Sequence, residues 1–330
     1  MEKIIVALDA MGGDNAPVET VKGGVLAANE TGAKVILVGR EDVIKEELKK
    51  YEYAPESIEI VNASEVIGTD ESPTAGIKKK KDSSVIVGLK LVKEGKANAF
   101  VSAGSTGALL VGGIMILGKI EGVSRPVLGT GLPTAAGGYS FLLDCGANVD
   151  CKPAYLLQFA EMGAIYVESV MGIENPKVGL VNNGAEKEKG NALTKQAYEL
   201  LENSGLNFIG NIEAAEIPFG KADVVVCDGF VGNTILKLSE GLTKALMSII
   251  KEELLKTEDK SIMAGLAKPL GAVKSKFDAE EIGGAAFLGL NALLLKAHGG
   301  SHAGAIKNAI KQCVIFTQND TLGKFSVKVK

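Results

Sequence analysis

The sequence predicts an α/β protein, a three-layer α/β/α arrangement around a mainly parallel sheet. Short β-branched runs alternate with amphipathic stretches through the first half, the rhythm of strand–helix–strand units. Each run ends in a polar or glycine-rich loop, where open α/β sheets bind their ligands. With 330 residues, 46% of them hydrophobic, the chain can fill a core on both faces of such a sheet.

The elements follow in order. Residues 3–8 are a strand, and 17–30 a helix with Pro17 in its first turn. Residues 34–38 and 57–61 are strands around a charged helix at 41–50. A helix at 83–94, capped by Asp82 or Ser83, leads to a strand at 97–101 and a helix at 106–117. The rhythm then changes: 126–132 and 138–143 are consecutive strands, and 152–170 is a long helix. Strands follow at 177–181, 207–210 and 223–227. Residues 285–290 and 293–297 form a hairpin around Asn291, and 302–316 is a terminal helix. No repeat or low-complexity linker divides the chain, so residues 1–330 read as one catalytic domain with interwoven lobes.

Composition excludes several classes. A net charge of −4 argues against nucleic-acid binding by bulk electrostatics. The apolar run at 4–8 stops at Asp9, so it reads as a strand rather than a signal peptide, and no segment has the apolar purity of a membrane span. Cys145, Cys151, Cys227 and Cys313 form no C-x-x-C pair and read as free thiols of a reducing, cytoplasmic compartment. The P-loop, the G-x-G-x-x-G fingerprint and the G-x-S-x-G elbow are all missing. His298 and His302 are four apart, but Gly299 and Gly300 lie between them and no third ligand is suggested; no metal and no cofactor is expected.

What remains is a set of loops. In Asp9-Ala10-Met11-Gly12-Gly13-Asp14-Asn15, two glycines let backbone N–H groups approach an anion ahead of a helix. Ser102-Ala103-Gly104-Ser105-Thr106-Gly107 offers hydroxyls and N–H groups in the same setting. Either could equally be a glycine turn with a helix cap; two on matching strand ends favour a site. Asp144 to Asp150, with Asn148, clusters acids and an amide, although Asp150 could simply cap a helix. Lys189, beside Gly190, could aim an ammonium at an oxyanion, or belong to a solvated charge run. Asp228-Gly229-Phe230-Val231-Gly232-Asn233 puts an acid at a strand end and an amide entering a helix. Lys296-Ala297-His298-Gly299 sets a histidine in a glycine turn, a site residue or a surface one. Residues 243–277 are lysine-rich with an apolar stripe at Leu246, Ile249, Ile250 and Leu254. Periodicity alone favours packing on the body or on a partner subunit over a membrane surface. The Lys78 to Lys81 run reads as a solvated face that could attract an acidic partner.

The ordered loops resemble the bacterial phosphate acyltransferases, the PlsX family of phospholipid synthesis. The resemblance spans nearly the whole chain, from Leu8-Asp9-Ala10-Met11-Gly12-Gly13-Asp14-Asn15-Ala16-Pro17 through Ser102 to Ala108, Gly146-Ala147-Asn148-Val149-Asp150, Lys189-Gly190-Asn191 and Asp228 to Asn233, to Lys296-Ala297-His298-Gly299. Two positions depart from it: Ser105 stands where Asn is usual, and Ala292 follows Asn291 where a hairpin Gly is usual. The resemblance implies a fold similar to isopropylmalate dehydrogenase and phosphate acetyltransferase. It implies a homodimer that moves a long-chain acyl group from acyl carrier protein to inorganic phosphate. The acyl phosphate would pass to a membrane glycerol-3-phosphate acyltransferase. It also implies a cytoplasmic protein peripherally associated with the inner face of the cell membrane, which makes 243–277 a projecting amphipathic segment for membrane contact.

That chemistry needs positioning and oxyanion stabilisation more than strong acids or bases. Phosphate is already an anion, and the leaving thiol has a pKa of about 8.5. Lys189, Asn233 and His298 are therefore the expected catalytic residues, neutralising charge, donating to the thioester oxygen and assisting the thiolate or phosphate. Asp9, Gly12, Gly13, Asp14, Asn15, Ser105, Thr106, Gly107, Asn148 and Asp228 are expected around phosphate and substrate. Lys80, Lys81, Lys251, Lys256 and Lys260 are expected to meet carrier protein or membrane. The rival readings are an isopropylmalate-type dehydrogenase, a short-chain phosphate acyltransferase using coenzyme A thioesters, and a non-enzymatic membrane-associated scaffold.

Overall fold

A computed structural model describes residues 3–256, 260–276 and 282–328. Eleven strands form one sheet in the order β3-β2-β1-β4-β11-β10-β5-β6-β9-β7-β8. They are β1 (Ile5–Asp9), β2 (Lys34–Gly39), β3 (Ile58–Asn62), β4 (Ala99–Ser102), β5 (Val127–Pro133), β6 (Tyr139–Leu143), β7 (Val178–Asn182), β8 (Phe208–Glu213), β9 (Val224–Val226), β10 (Ala285–Leu288) and β11 (Leu293–Lys296). β1 to β4 and β11 run parallel to one another, as do β6 to β9. The antiparallel pairs β11–β10, β10–β5 and β5–β6 join the two blocks and reverse the second relative to the first.

Strand side chains alternate between two cores, as the pleat requires. Val6 and Leu8 point to one core and Ala7 to the other; Val35 and Leu37 are set against Ile36 and Val38 in the same way. The first core is closed by α1 (Val18–Thr31), α2 (Glu41–Leu48), α6 (Pro153–Tyr166), α7 (Ala192–Glu202), α10 (Ala303–Gln318) and α11 (Thr321–Lys328). The second is closed by α3 (Pro73–Lys79), α4 (Ser84–Lys93), α5 (Thr106–Gly112) and the start of α8 (Gly229–Leu255). This is the three-layer α/β/α arrangement with a mainly parallel sheet.

Most expected elements lie within a residue or two of their predicted bounds. Ser83, not Asp82, caps α4, its hydroxyl accepting from the Ile86 N–H at 3.4 Å. Asp82 instead accepts from the Ser64 backbone and hydroxyl. The 285–297 hairpin forms, but across a four-residue turn. Asn291 anchors it sideways, its amide donating to the Leu117 carbonyl and its N–H to the Gly118 carbonyl. That replaces the tight turn that Ala292 disfavours. β8 runs past its expected end at 210, because Gly210 takes φ 90° and the β7–β8 register shifts instead of stopping. The segment at 243–277 is the distal part of α8 followed by α9 (Lys260–Lys276). Phe277 and residues 257–259 lie outside the described residues.

Candidate active site

The first block supplies loops after β1, β4 and β11. Asp9 ends β1 fully buried, accepting from the Ser102 hydroxyl at 2.7 Å and the Met11 N–H at 3.1 Å. Burial raises its carboxyl, and the bonds from Ser102, Ser84, Met11 and Gly12 pull the other way. Gly12 is pressed onto this carboxylate; a Cβ there would lie 2.3 Å from Asp9 Oδ2. Gly13, at φ 100°, packs on Ala103. The Asp14 N–H donates to the Gly299 carbonyl at 2.8 Å, and the Asn15 amide donates to the Gly300 carbonyl at 3.1 Å. The three loops are thus tied into one unit. Ser105 caps α5 through the Ala108 N–H, and Gly107 is the close approach of α5 to Pro73 of α3. His298 is exposed, and its Nδ1 accepts the Gly300 N–H at 3.1 Å. In the neutral ring that leaves the proton on Nε2, as a donor.

The second block supplies loops after β6 and β9. Asp144 is fully buried and gathers the turn that follows it: the N–H groups of Gly146, Ala147 and Asn148 all donate to it, as does the Asn148 amide at 2.9 Å. Burial raises this carboxyl too. The second amide hydrogen of Asn148 reaches the Pro126 carbonyl at 2.8 Å. Asp228 caps α8 by accepting from the Val231 N–H at 2.9 Å. α8 then lies directly on the Asp144 turn. A Cβ on Gly232 would fall 1.9 Å from the Asp144 carbonyl oxygen, and one on Gly229 2.7 Å from that of Asn148. This contact sets Asn233 against Gly146, half-buried and with no hydrogen bond from its amide to any described residue. Burial and the Asp144 charge push the Cys145 thiol well up, so it offers no thiolate nucleophile.

The two sets of loops meet across a cavity of about 820 Å³. Thr106, Gly146, Asn233, Lys296 and His298 contribute polar groups to its lining. Most of the rest is apolar, including Leu128, Leu132, Ile217, Leu236, Leu246 and Ile250 from β5, α8 and the 3₁₀ turn Ala214–Phe219, with Lys237 and Glu240 of α8 also lining it. The structure therefore brings together Thr106, Asn233 and His298 among the expected residues. Asp9, Gly12, Gly13, Asp14, Asn15, Ser105, Gly107, Asn148 and Asp228 stand behind them as the frame, and none lines the cavity. Lys189 lies outside it, exposed on the loop after β7, with no ion pair among the described residues. That loop shares the C-terminal edge of the second block with the loops after β6 and β9. Lys80 is paired with Glu71 and also donates to the Val66 carbonyl at 2.6 Å; Lys81 donates to the Ile77 carbonyl. Lys251 and Lys256 are exposed on α8, Lys256 paired with Glu253 at 2.6 Å. Lys260 begins α9, and its side chain lies outside what the structure describes. The sequence reading gave no role to Lys296 or to the cavity wall. Lys296 was visible beside His298, whereas the wall joins residues as far apart as Leu128 and Ile250 and left no local signal.

Fold and site together define an α/β protein of two opposed blocks whose loops meet at a cavity with a largely apolar lining and a few polar side chains. A family model described as "Fatty acid synthesis protein" matches residues 4–323. A phosphate acyltransferase of Alkaliphilus oremlandii is 51% identical over 322 residues, covering 97% of this chain and 96% of that one. Another, of Clostridium kluyveri, is 48% identical over 328 residues, with 99% and 98% covered. A solved phosphotransacetylase of Streptococcus pyogenes superposes with a TM-score of 0.63 at 19% identity, covering 97% of this chain and 94% of that one, a likeness of fold. The chain belongs to the fatty acid synthesis protein family, the family of these phosphate acyltransferases.

Proposed function

We propose that this protein transfers a long-chain acyl group from acyl carrier protein to inorganic phosphate, releasing acyl phosphate for phospholipid synthesis. The observation that carries the reading is the lining of the cavity: Thr106, Asn233, Lys296 and His298 share it with a largely apolar wall that includes Leu128, Leu132, Ile217, Leu236, Leu246 and Ile250. A buried methylene gains about 0.8 kcal/mol, so roughly a dozen contribute on the order of 10 kcal/mol, against about 1 kcal/mol for an acetyl methyl. Such a wall rewards a fatty chain and is of little use to a short one.

The chemistry follows from the residues present. A phosphate oxygen attacks the thioester carbonyl carbon, and the carbonyl oxygen becomes an oxyanion. The Asn233 amide and the His298 Nε2–H, both from residues that line the cavity, are the proposed donors to it. The attack forms the acyl–oxygen–phosphorus linkage; collapse of the oxyanion breaks the carbon–sulfur bond and expels a thiolate, which the His298 Nε2–H can hydrogen-bond and which takes its proton from water. Lys189, exposed on the loop after β7 and outside the cavity lining, is the proposed further cation for the phosphate-bearing substrates. Lys80, Lys81 and the exposed lysines of α8 are the proposed contacts for acidic carrier protein and anionic membrane, and a second copy of the chain completes a homodimer. No helix among the described residues is long and apolar enough to cross a membrane.

Purified protein given acyl carrier protein thioester and phosphate should form acyl phosphate, trapped as the hydroxamate. Asn233→Ala should lose about 10²–10³-fold in turnover, the usual cost of one oxyanion donor, with its unfolding midpoint unchanged. Lys189→Ala should lose more than about tenfold. Near-normal turnover in either variant removes that residue from the mechanism.

A further inference from the structure

Lys296 is the last residue of β11, opposite Ser102 of β4 and Ala285 of β10. Its ammonium is turned under the loop after β4, donating to the Ala103 carbonyl at 3.1 Å and to its neighbour's, that of Ala297. Two of its three hydrogens are so engaged, and no carboxylate pairs with it among the described residues. A cation held by neutral carbonyls alone, away from bulk water, is costly unless an anion joins it. Asp14 and the buried Asp9 act on it electrostatically, with His298 two residues on in its own loop and Lys237 and Glu240 of α8 lining the same cavity. Lys296 lines the cavity, as do Thr106 and His298.

We propose that Lys296 is the cation that binds inorganic phosphate in this cavity, an inference that rests on the acyl-transfer reading above. The Ala103 and Ala297 carbonyls aim the ammonium, Thr106 adds a hydroxyl, and the bound phosphate is held beside the carbonyl carbon that Asn233 polarises. The placement has a pH signature. Burial brings this lysine down to about 8, with Asp14 and Asp9 opposing the shift. It is therefore charged below about pH 8 and neutral above it, so phosphate binding weakens as pH rises through that value while acyl-donor binding does not.

The test is steady-state acyl phosphate formation by the full chain on both sides of pH 8, varying phosphate and acyl donor separately. Wild type should show a KM for phosphate that climbs about tenfold per pH unit above 8, with a flat KM for the donor. Lys296→Met should raise the KM for phosphate by about tenfold or more at pH 7, leave the KM for the donor within about twofold and abolish the climb. Lys296→Arg, whose guanidinium stays charged, should keep phosphate affinity flat across the range. A role confined to holding the Ala103 loop would instead change both KM values together. Inorganic phosphate alone should raise the melting temperature of wild type and not of Lys296→Met. A folded Lys296→Met with unchanged KM for phosphate, or a Lys296→Arg that keeps the wild-type climb, overturns the proposal. If Lys296→Met fails to fold, Lys296→Arg decides. Wild type that makes no acyl phosphate defeats the acyl-transfer reading, and the phosphate melting shift then still judges Lys296.

Discussion

Asp9 and Asp144 solve the same problem in the two blocks. Asp9 is the last residue of its strand and Asp144 the first after its own; each is buried and accepts from N–H groups of the turn that follows, so that a carboxyl of the protein itself holds the loop. The Asp9 turn was legible as an anion cradle because glycines and free N–H groups form one. The sequence could not show that the nearest anion is Asp9 itself. Ser102 completes the arrangement, donating to Asp9 and accepting from the Gly104 N–H at 3.0 Å. Ser102→Ala should cost about 1–3 kcal/mol in urea unfolding, since it orphans a buried donor and removes one partner of a buried carboxylate. The raised Asp9 carboxyl carries a sign. A folded value above the unfolded 3.8 means a contribution fully present below 3.8 and lost as pH rises through the folded value. The stability of Asp9→Asn relative to wild type should therefore increase with pH through that window, read from urea midpoints.

At the scale of elements, α8 is two things end to end. Its first turn is fitted to the Asp144 turn through Gly229 and Gly232, which seats Asn233 at the cavity. Gly232→Ala should destabilise by about 1–3 kcal/mol or more, because the Asp144 backbone cannot retreat, and should lower turnover by displacing Asn233. Along the rest of its length, α8 carries Leu238, Leu242, Leu246 and Ile249 more than half exposed, Leu242 and Leu246 also lining the cavity, with Lys251 and Lys256 further on. Charge reversal of Lys251 and Lys256 to Glu should weaken binding to anionic vesicles by about 1 kcal/mol per lysine, and more with the matching change at Lys260. Unchanged vesicle binding would remove this helix from the membrane contact. The stripe was legible because helical spacing is local. α3 was not, being a seven-residue helix that contains Gly76 and runs into the lysine cluster, with little pattern to read. α7 was not assigned either; it starts from its cap Asn191, whose side chain accepts from the Thr194 N–H.

For the whole molecule, the alternation of strands and helices made the layers and the mainly parallel sheet readable, since both depend on local periodicity. The reversal of the second block was not. It follows from where the β10–β11 hairpin inserts, between β4 and β5, and that pairing joins residues more than 150 positions apart. The reversal and the insertion bring Asn233 and Gly146 to face Lys296 and His298, and they open the apolar wall between the blocks. That wall is the feature on which the proposed substrate depends. The decisive measurement is kcat/KM for acyl phosphate formation with a long-chain acyl carrier protein thioester and with acetyl coenzyme A, at equal phosphate. The proposed function predicts a preference for the long-chain carrier donor of at least about 10²-fold. Equal rates with acetyl coenzyme A, or no acyl phosphate from the carrier donor, would contradict it.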